Sequence, residues 1–299
     1  MDTLLRAINE PETIRVVAAT TTEAVREACR RQEARGVAAI VIGRALTAGA
    51  VLATLAKGER ERVRIQLGGA GLVGQVIIDA HGDGRVRACI ERRLEDDSLD
   101  PVVIGQRPST ARAVGTRGHV VVTRDLGLAT PYQGTVDLRS GEIDEDLEHY
   151  LDTSEQLPSA LRTEVVLDQH GEILRAAGIL AQSFPGSDPE LIAAVRERLA
   201  GDALRTVITA HERGVEELVG LALGGASFRS MLEHTVTFHC PCGPERALSV
   251  LATLGASDLE TLADEQEQTE VRCNFCGQAT MVAAPELRKL AARLRRVQS

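Results

Sequence analysis

Two cysteine pairs near the C-terminal end are the residues whose types and spacing point most directly to chemistry. Cys240 and Cys242 form a Cys-x-Cys pair, and Cys273 and Cys276 form a Cys-x-x-Cys pair. Thiolates at this spacing favour a tetrahedral Zn²⁺ site, because two close pairs of soft sulfur ligands can surround one ion. The sequence therefore predicts one Zn²⁺ per chain, with these four cysteines as its ligands.

The first pair is shorter than the Cys-x-x-Cys pairs of most structural zinc sites. Cysteines this close can bridge to each other only in a small, strained ring, and Pro241 between them restricts the backbone further. A disulfide in that ring does not fit the metal-bound fold, so its formation would favour loss of the metal. The spacing is compatible both with a redox switch and with a constitutive structural site.

Composition and charge limit the classes of protein to consider. The chain has 299 residues, of which 43% are hydrophobic and 26% charged, which is typical of a globular protein with more than one core. Aromatic residues make up only 2%, so aliphatic side chains must fill the cores. The formal net charge of −9 opposes non-specific binding to phosphate backbones, and we therefore expect no nucleic-acid partner.

No membrane span or export signal is expected from the sequence. Met1–Arg15 mixes charged and apolar residues and lacks the apolar stretch of a signal peptide. The apolar run Val37–Ala56 contains Arg44, which would cost about 2.5 to 3.5 kcal/mol at the centre of a bilayer, so the run predicts a buried helix. These features favour a cytoplasmic protein, in which clustered cysteines indicate metal or redox chemistry rather than permanent disulfides.

Residues 1–183 are expected to form an α+β core domain that is rich in hairpins, with a mainly antiparallel sheet packed against helices. Apolar and polar residues alternate over 62–67, as in a half-buried strand. The glycines of 69–74 formally match a dinucleotide-binding pattern, but the residues after them favour a strand, so they predict a hairpin. Asp83-Gly84 predicts the next hairpin turn.

Helices are expected to pack against this sheet. Gly43 and Gly49 in the apolar run allow a helix to approach a sheet closely. Thr20 begins a capping-box pattern, which predicts a helix that carries Cys29 in the core. Cys89 alternates with arginines and is expected on the polar face of a strand.

A break in composition at 184–189 predicts the end of the core domain and the start of a helical linker over 184–230. Asp188 is expected to cap a helix that has Pro189 as its first residue. The helices that follow are short and interrupted by glycines, and helices of about ten residues depend on tertiary packing. The linker is therefore expected to detach and unfold when its docking surface is lost.

Residues 231–299 are expected to form a small zinc-binding domain. Pro244–Leu254 is expected to be helical, Ser257 begins a capping-box pattern for a second helix, and Pro285 begins a third. Structural zinc contributes on the order of 10 to 16 kcal/mol to small domains, whereas whole domains are stable by only about 5 to 15 kcal/mol. Removal of the metal is therefore expected to unfold this segment.

Further segments, spread along the chain, match one known family together with the cysteine pairs. They are Arg44–Ala50, the hairpin Gly69–Asp79, Tyr132–Gly134 and Ser154–Pro158. The chain resembles the redox-regulated heat-shock holdases of bacteria, the thirty-three-kilodalton chaperonin family.

The resemblance implies an ATP-independent chaperone that keeps unfolding client proteins from aggregating and is a homodimer when activated. It implies that Cys240, Cys242, Cys273 and Cys276 bind Zn²⁺ in a reduced, inactive state. Oxidants would then form disulfides, Cys240 with Cys242 and Cys273 with Cys276, with release of zinc; the sequence alone leaves three pairings open. Residues 231–299 would thus be a redox-switch domain, whose unfolding loosens the linker and uncovers apolar surface.

Two other classes stay open from the residues alone. One is a constitutive zinc-stabilised binding module, including one for nucleic acid, which the acidic balance disfavours. The other is a thiol-disulfide oxidoreductase, which requires an exposed cysteine of low pKa without bound metal. The sequence contains no Gly-x-x-x-x-Gly-Lys-Ser/Thr, Gly-x-Ser-x-Gly or His-Glu-x-x-His motif, and we expect the protein not to be an enzyme.

Overall fold

The structure is a computed structural model that describes residues 1–54, 61–94, 107–127, 130–210 and 214–298. It divides into two compact units, Met1–His239 and Cys240–Ser299. The first unit contains two hydrophobic cores and the second contains one.

Two sheets form the framework of the first unit. The five-stranded sheet contains β1 (Thr3–Asn9), β2 (Ile14–Thr20), β8 (Ser159–Leu167), β9 (Ile173–Ser183) and β10 (Phe228–Thr235), in the order β10-β1-β2-β9-β8. The six-stranded sheet contains β3 (Arg62–Gly69), β4 (Gln75–His81), β5 (Arg85–Ile90), β6 (Gly118–Asp125), β7 (Tyr132–Asp137) and β11 (Thr237–Phe238), in the order β11-β5-β4-β3-β6-β7. Within the described residues, the strand pairs of these sheets are antiparallel except β11 with β5. The predicted α+β class with mainly antiparallel pairing is confirmed.

A long buried helix packs against both sheets. The helices of this part are α1 (Thr22–Gln32), α2 (Gly36–Ala53), α3 (Ala111–Val114) and α4 (Ile143–Ser154). A Cβ on Gly43 would lie 2.6 Å from Cγ2 of Val165 on β8, and one on Gly49 would lie 2.3 Å from Cγ2 of Ile78 on β4. The two glycines therefore let α2 touch one sheet on each side, as predicted.

Helix α2 is, within the described ranges, the one helix long and apolar enough to cross a membrane by length and composition. Every residue of it is buried inside the first unit, and Arg44 pairs there with Glu142 at 3.2 Å. The predicted buried helix is confirmed over 37–53, and the end of the predicted run, 55–56, lies outside the described residues.

Three short linker helices cover the face of the five-stranded sheet that points away from α2. They are α5 (Pro189–Leu199), α6 (Ala203–Thr209) and α7 (Val215–Leu223). The Asp188 side chain accepts a hydrogen bond from the backbone N–H of Glu190 at 3.0 Å, which confirms the predicted cap of α5. The apolar side chains of the three helices form one core with the sheet, and this core is separate from the core around α2. The helices thus have the tertiary packing on which their stability depends.

The second unit is a small helical unit with one hairpin. It contains α8 (Pro244–Leu251), a 3-10 turn (Ala252–Leu254), α9 (Ala256–Glu265), β12 (Gln268–Arg272), β13 (Ala279–Ala283) and α10 (Ala284–Gln298). Its buried core is made of Ala247, Leu251, Leu259, Ala263, Val282, Ala284, Leu287 and Ala291. Five of these eight are alanine or valine, so the apolar volume that this unit buries is small.

Both predicted capping boxes are wrong, because tertiary structure satisfies the helix ends in other ways. Thr20 is the last residue of β2, and its hydroxyl accepts from the backbone N–H of Thr3 at 2.9 Å. The N-terminal end of α1 is capped by the carboxylate of Asp2, which accepts from the Ala24 N–H at 2.8 Å. Ser257 lies inside α9, since Gly255 at φ 92° turns the chain into the helix two residues earlier than predicted.

The hairpin turns lie where the sequence predicted them. The second unit, however, begins later than the boundary expected at 231. Gly84 adopts a φ of 88° between β4 and β5, and residues 70–74 join β3 to β4. Strand β10, however, pairs with β1, and β11 pairs with β5, so residues 228–238 belong to the sheets of the first unit. As a functional division into core, linker and switch, the segments 1–183, 184–230 and 231–299 stay a prediction.

Candidate metal centre

Four cysteines of the second unit meet in one cluster, as the sequence predicts. Cys240 and Cys242 lie in the loop before α8, and Cys273 and Cys276 lie in the turn between β12 and β13. That turn is closed by hydrogen bonds from the Gly277 N–H to the Cys273 carbonyl at 2.8 Å and from the Cys273 N–H to the Gln278 carbonyl at 3.0 Å. The φ of 67° at Gly277 makes this tight return possible.

The spacing of the four sulfurs fits a single tetrahedral ion. The Sγ atoms of Cys240 and Cys242 are 3.2 Å apart, those of Cys240 and Cys273 3.7 Å, and those of Cys242 and Cys276 3.5 Å. All four lie within 4.8 Å of one another. A zinc–sulfur bond of about 2.3 Å places tetrahedral sulfurs roughly 3.8 Å apart, close to these separations. The four cysteines could therefore hold a metal ion.

Hydrogen bonds inside the cluster favour negative charge at one sulfur. The pKa of Cys273 is lowered to about 4, because Cys240 and Cys242 donate to its sulfur and the backbone N–H groups of Cys276 and Phe275 point at it. Burial has the opposite effect on the neighbouring Cys242 and raises its pKa to about 12. The turn of the second pair therefore stabilises thiolate, the form in which cysteine binds metals.

The other two cysteines are separate from the cluster. Cys29 is buried in the main core, its thiol donates to the Ala39 carbonyl at 3.9 Å, and burial raises its pKa to about 12. The expected packed core thiol is therefore confirmed. Cys89 lies on β5 two residues after Arg87, on the face expected to be polar, but only 2% of it is exposed. Burial of both thiols disfavours reactivity.

Sequence reasoning missed the charged side chains that attach the linker to the core. Arg196 of α5 pairs with Glu148 and Asp152 of α4, and Arg205 of α6 pairs with Glu164 of β8. The i, i+4 spacing of Glu148 and Asp152 was a visible signal of one acidic helix face. Their shared partner Arg196, however, is 44 to 48 residues away in the sequence and could not be identified from it.

The fold and the cluster define an α+β protein with a separate C-terminal unit built around four cysteines that could hold a metal ion. The family model described as Hsp33 protein matches residues 2–281. A 33 kDa chaperonin of Clostridium perfringens (strain SM101 / Type A) is 33% identical over 97% of this chain and 91% of its own length. That of Trichodesmium erythraeum (strain IMS101) is 36% identical over 97% and 93%. The crystal structure of the 33 kDa chaperonin from Thermotoga maritima covers 99% of both chains, with a TM-score of 0.83 and 25% identity. The chain therefore belongs to the Hsp33 family of chaperones.

Replacing one cluster cysteine is expected to abolish tight metal binding. In Cys240→Ser a weakly binding hydroxyl replaces one of four thiolates, so we expect zinc affinity to fall by more than about a hundredfold. Zinc content after dialysis against a weak competing chelator measures this. The matched control is Cys29→Ser, which alters a buried thiol outside the cluster and should retain one zinc per chain. Equal zinc content in the two variants would contradict the assignment of the ligands.

Proposed function

We propose that the protein is an ATP-independent holdase that oxidation activates. In the reduced state Cys240, Cys242, Cys273 and Cys276 bind one Zn²⁺, and the linker helices stay docked. Oxidation to two disulfides removes the metal ligands, the second unit unfolds, and the linker undocks. The uncovered apolar surface then binds unfolding proteins and prevents their aggregation.

The observation that carries this proposal is the convergence of four thiol sulfurs within 4.8 Å in a unit with a small aliphatic core. Bound Zn²⁺ would supply a cross-link between the loop before α8 and the β12–β13 turn. Structural zinc contributes on the order of 10 to 16 kcal/mol in such units, more than a core of this size provides. The stability of the second unit therefore depends on the oxidation state of its cysteines.

The oxidation is balanced by an oxidant such as hydrogen peroxide. Two thiolates lose two electrons and form one sulfur–sulfur bond, and one peroxide accepts the electrons and is released as two hydroxide ions. Two such steps use all four cysteines. The proposed pairs, Cys240 with Cys242 and Cys273 with Cys276, are those that the family resemblance implies, and the sulfurs of the first pair lie 3.2 Å apart.

The linker helices cover the surface that activation exposes. Their side chains bury an apolar sheet face, and nine of its residues lie on β1, β2, β8 and β9. These are Leu5, Ala7, Ile14, Val16, Ala18, Ala160, Ala177, Ile179 and Ala181. Helices of seven to eleven residues are unstable in water without such packing. Undocking of the linker therefore unfolds it and exposes a contiguous aliphatic surface, of the kind that binds other apolar chains.

Several further properties belong to the same proposal. The clients are unfolded or partly unfolded proteins, the activated form is a homodimer, and nucleic acid and membranes are not partners. The protein works in the cytoplasm, where its thiols are reduced before stress. It binds clients without catalysing a reaction.

The proposal is tested with the zinc-loaded protein and peroxide under mildly unfolding conditions. Zinc release is followed with a metal-binding dye, and holdase activity is followed by light scattering of an aggregating client. We expect suppression of aggregation to rise in step with zinc release. Unchanged activity after complete zinc release would contradict the proposal.

Weakening the docking of α7 is expected to lower the degree of oxidation needed for activity. Leu218 is 2% exposed in the core shared with the sheet, and Leu218→Ala should cost about 2 to 5 kcal/mol of docking free energy. The undocked fraction should therefore rise more than about tenfold, measured as holdase activity at limiting peroxide. The matched control is Glu216→Ala on the exposed face of the same helix. Equal activity of both variants at every peroxide concentration would contradict the proposal that docking of α7 keeps the protein inactive.

A further inference from the structure

The edge of the five-stranded sheet carries a row of carboxylates from helix α4. Asp144, Glu148 and Asp152 lie at i, i+4 and i+8 of α4, and each accepts a hydrogen bond from a backbone N–H of the edge strand β8. The donors are Thr163 at 3.1 Å, Leu161 at 2.8 Å and Ser159 at 2.9 Å, respectively. The helix thus satisfies edge N–H groups with charged acceptors, which places negative charge along the border of the sheet.

The linker supplies much of the positive charge that faces this row. Arg196 of α5 donates to Glu148 at 2.8 Å and to Asp152 at 2.6 Å. Arg205 of α6 donates to Glu164 of β8 at 3.1 Å. Glu164 is 1% exposed and Arg205 is 15% exposed, so this second pair is largely shielded from water. Two linker arginines, nine residues apart, therefore dock on three carboxylates of the core.

Undocking of the linker leaves this border acidic. At this border, the ion pairs within 4.0 Å among the described residues join five carboxylates to four guanidinium groups. The carboxylates are Glu142, Asp144, Glu148, Asp152 and Glu164, and the guanidinium groups are Arg44, Arg107, Arg196 and Arg205. Arg196 and Arg205 leave with the linker, so the five carboxylates keep ion pairs within 4.0 Å only to Arg44 and Arg107, and Arg162 of β8 stays nearby beyond that distance. Within this network of ion pairs, the excess of carboxylates over guanidinium groups therefore grows from one to three.

The acidic border lies beside the aliphatic face that the same helices cover. Ala160 belongs to that face, and its neighbours Ser159 and Leu161 on β8 donate their N–H groups to Asp152 and Glu148. The linker therefore meets this surface with apolar residues on the sheet and arginines on the border. It occupies the surface as an internal ligand that is complementary both in hydrophobicity and in charge.

We propose that the uncovered surface selects client segments that combine aliphatic side chains with Arg or Lys, and that the linker is the chain's own segment of this class. This inference rests on the proposed function, because it names the client class of the surface that activation uncovers. Basic clients replace the arginines that leave, whereas acidic clients of equal hydrophobicity meet unneutralised carboxylates. The preference is electrostatic and therefore weakens as salt screens the charges.

The test measures peptide binding to the oxidised full-length chain. The probe is a fluorescein-labelled synthetic peptide with the sequence of residues 189–209, and its partner carries Arg196→Glu and Arg205→Glu. We expect the oxidised protein to bind the first peptide about tenfold more tightly than the second in fluorescence anisotropy at low salt. The undocked linker in the same chain competes with both peptides equally, so the ratio of the two affinities is unaffected.

Substitutions in the acidic border test whether its carboxylates cause the preference for the basic peptide. Glu148→Gln with Asp152→Asn keeps amide oxygens that can accept the β8 N–H groups, so the sheet edge keeps its hydrogen bonds. We expect this double variant to lower the ratio of affinities to less than about threefold. The control is Asp137→Asn, which removes an exposed carboxylate on β7 and should leave the ratio unchanged.

The outcomes separate this inference from the function on which it rests. Equal affinity for both peptides, or a ratio that the double variant and high salt leave unchanged, would overturn the inference even when the oxidised protein suppresses aggregation. Failure of the oxidised protein to suppress aggregation would contradict the proposed function, and the peptide ratio would still decide whether the border selects basic segments.

Discussion

Chelation of the metal is expected to unfold residues 240–299 and to leave the two sheets of the first unit folded. The apolar core of the second unit has eight buried residues, five of them alanine or valine, and it cannot offset the entropy of ordering about sixty residues without a cross-link. The core around α2 contains, among the described residues, none of the linker and none of the second unit, so the sheets do not depend on the cluster for this packing. Hydrogen–deuterium exchange with and without a strong chelator, in a reducing buffer, measures the effect segment by segment.

The segment 231–239 shows in this experiment where the region that unfolds begins. From the sequence it was assigned to the zinc domain, but in the structure β10 and β11 bond it to the sheets of the first unit. The Thr237 N–H donates to the Gly84 carbonyl at 3.0 Å, and the His239 N–H donates to the Val86 carbonyl at 3.0 Å. We expect protection to be lost from α8 to α10 and to persist in β10 and β11. Retained protection of the second unit after chelation would contradict the dependence of its fold on metal.

Removal of the buried charge of Arg44 is expected to destabilise the first unit strongly. Arg44 is fully buried on α2, and it lies 3.2 Å from Glu142 and 3.8 Å from Glu164. Burial, the largest influence, lowers its pKa to about 10, so it stays charged at neutral pH. Arg44→Met leaves buried carboxylates with fewer partners, which should cost about 3 to 5 kcal/mol in the free energy of unfolding. Urea denaturation of the first unit, followed by circular dichroism, measures this loss.

An exposed arginine of the same unit provides the control. Arg229 pairs with Glu12 at 2.5 Å, but both side chains are more than half exposed. Arg229→Met should change the free energy of unfolding by no more than about 1 kcal/mol, because water screens the pair. Similar losses for the two variants would show that burial of the network is not what makes Arg44 important.

Local patterns in the sequence predicted the four-cysteine cluster and the hairpins, because each cysteine pair and each hairpin is set by residues close together in the chain. Cys273 and Cys276 meet across a single turn, and the alternation over 62–67 fixes which face of β3 is buried. The glycines of α2 indicated close packing without naming the partners. The cap of α5 at Asp188 likewise depends only on the next two residues.

Features that depend on tertiary neighbours could not be predicted from the sequence. The cap of α1 comes from Asp2, twenty-two residues away, and displaced the predicted role of Thr20. The role of the acidic row of α4 depends on two tertiary neighbours. Strand β8 donates its edge N–H groups to the row, and the linker places Arg196 beside it. The residues of β10 were assigned to the linker and the zinc domain instead of to the sheet. An edge strand gains its stability from pairing, and the partner of β10 is β1, which is far away in the sequence.

The most direct test of redox activation counts zinc, thiols and activity in one oxidant titration. The chain has six cysteines, of which four form the cluster and Cys29 and Cys89 are buried. We expect peroxide to lower the thiol count in denaturant from six to two as one zinc per chain is released, with holdase activity rising in proportion. Full activity while zinc and six thiols remain, or loss of zinc and four thiols without any activity, would contradict the proposed switch.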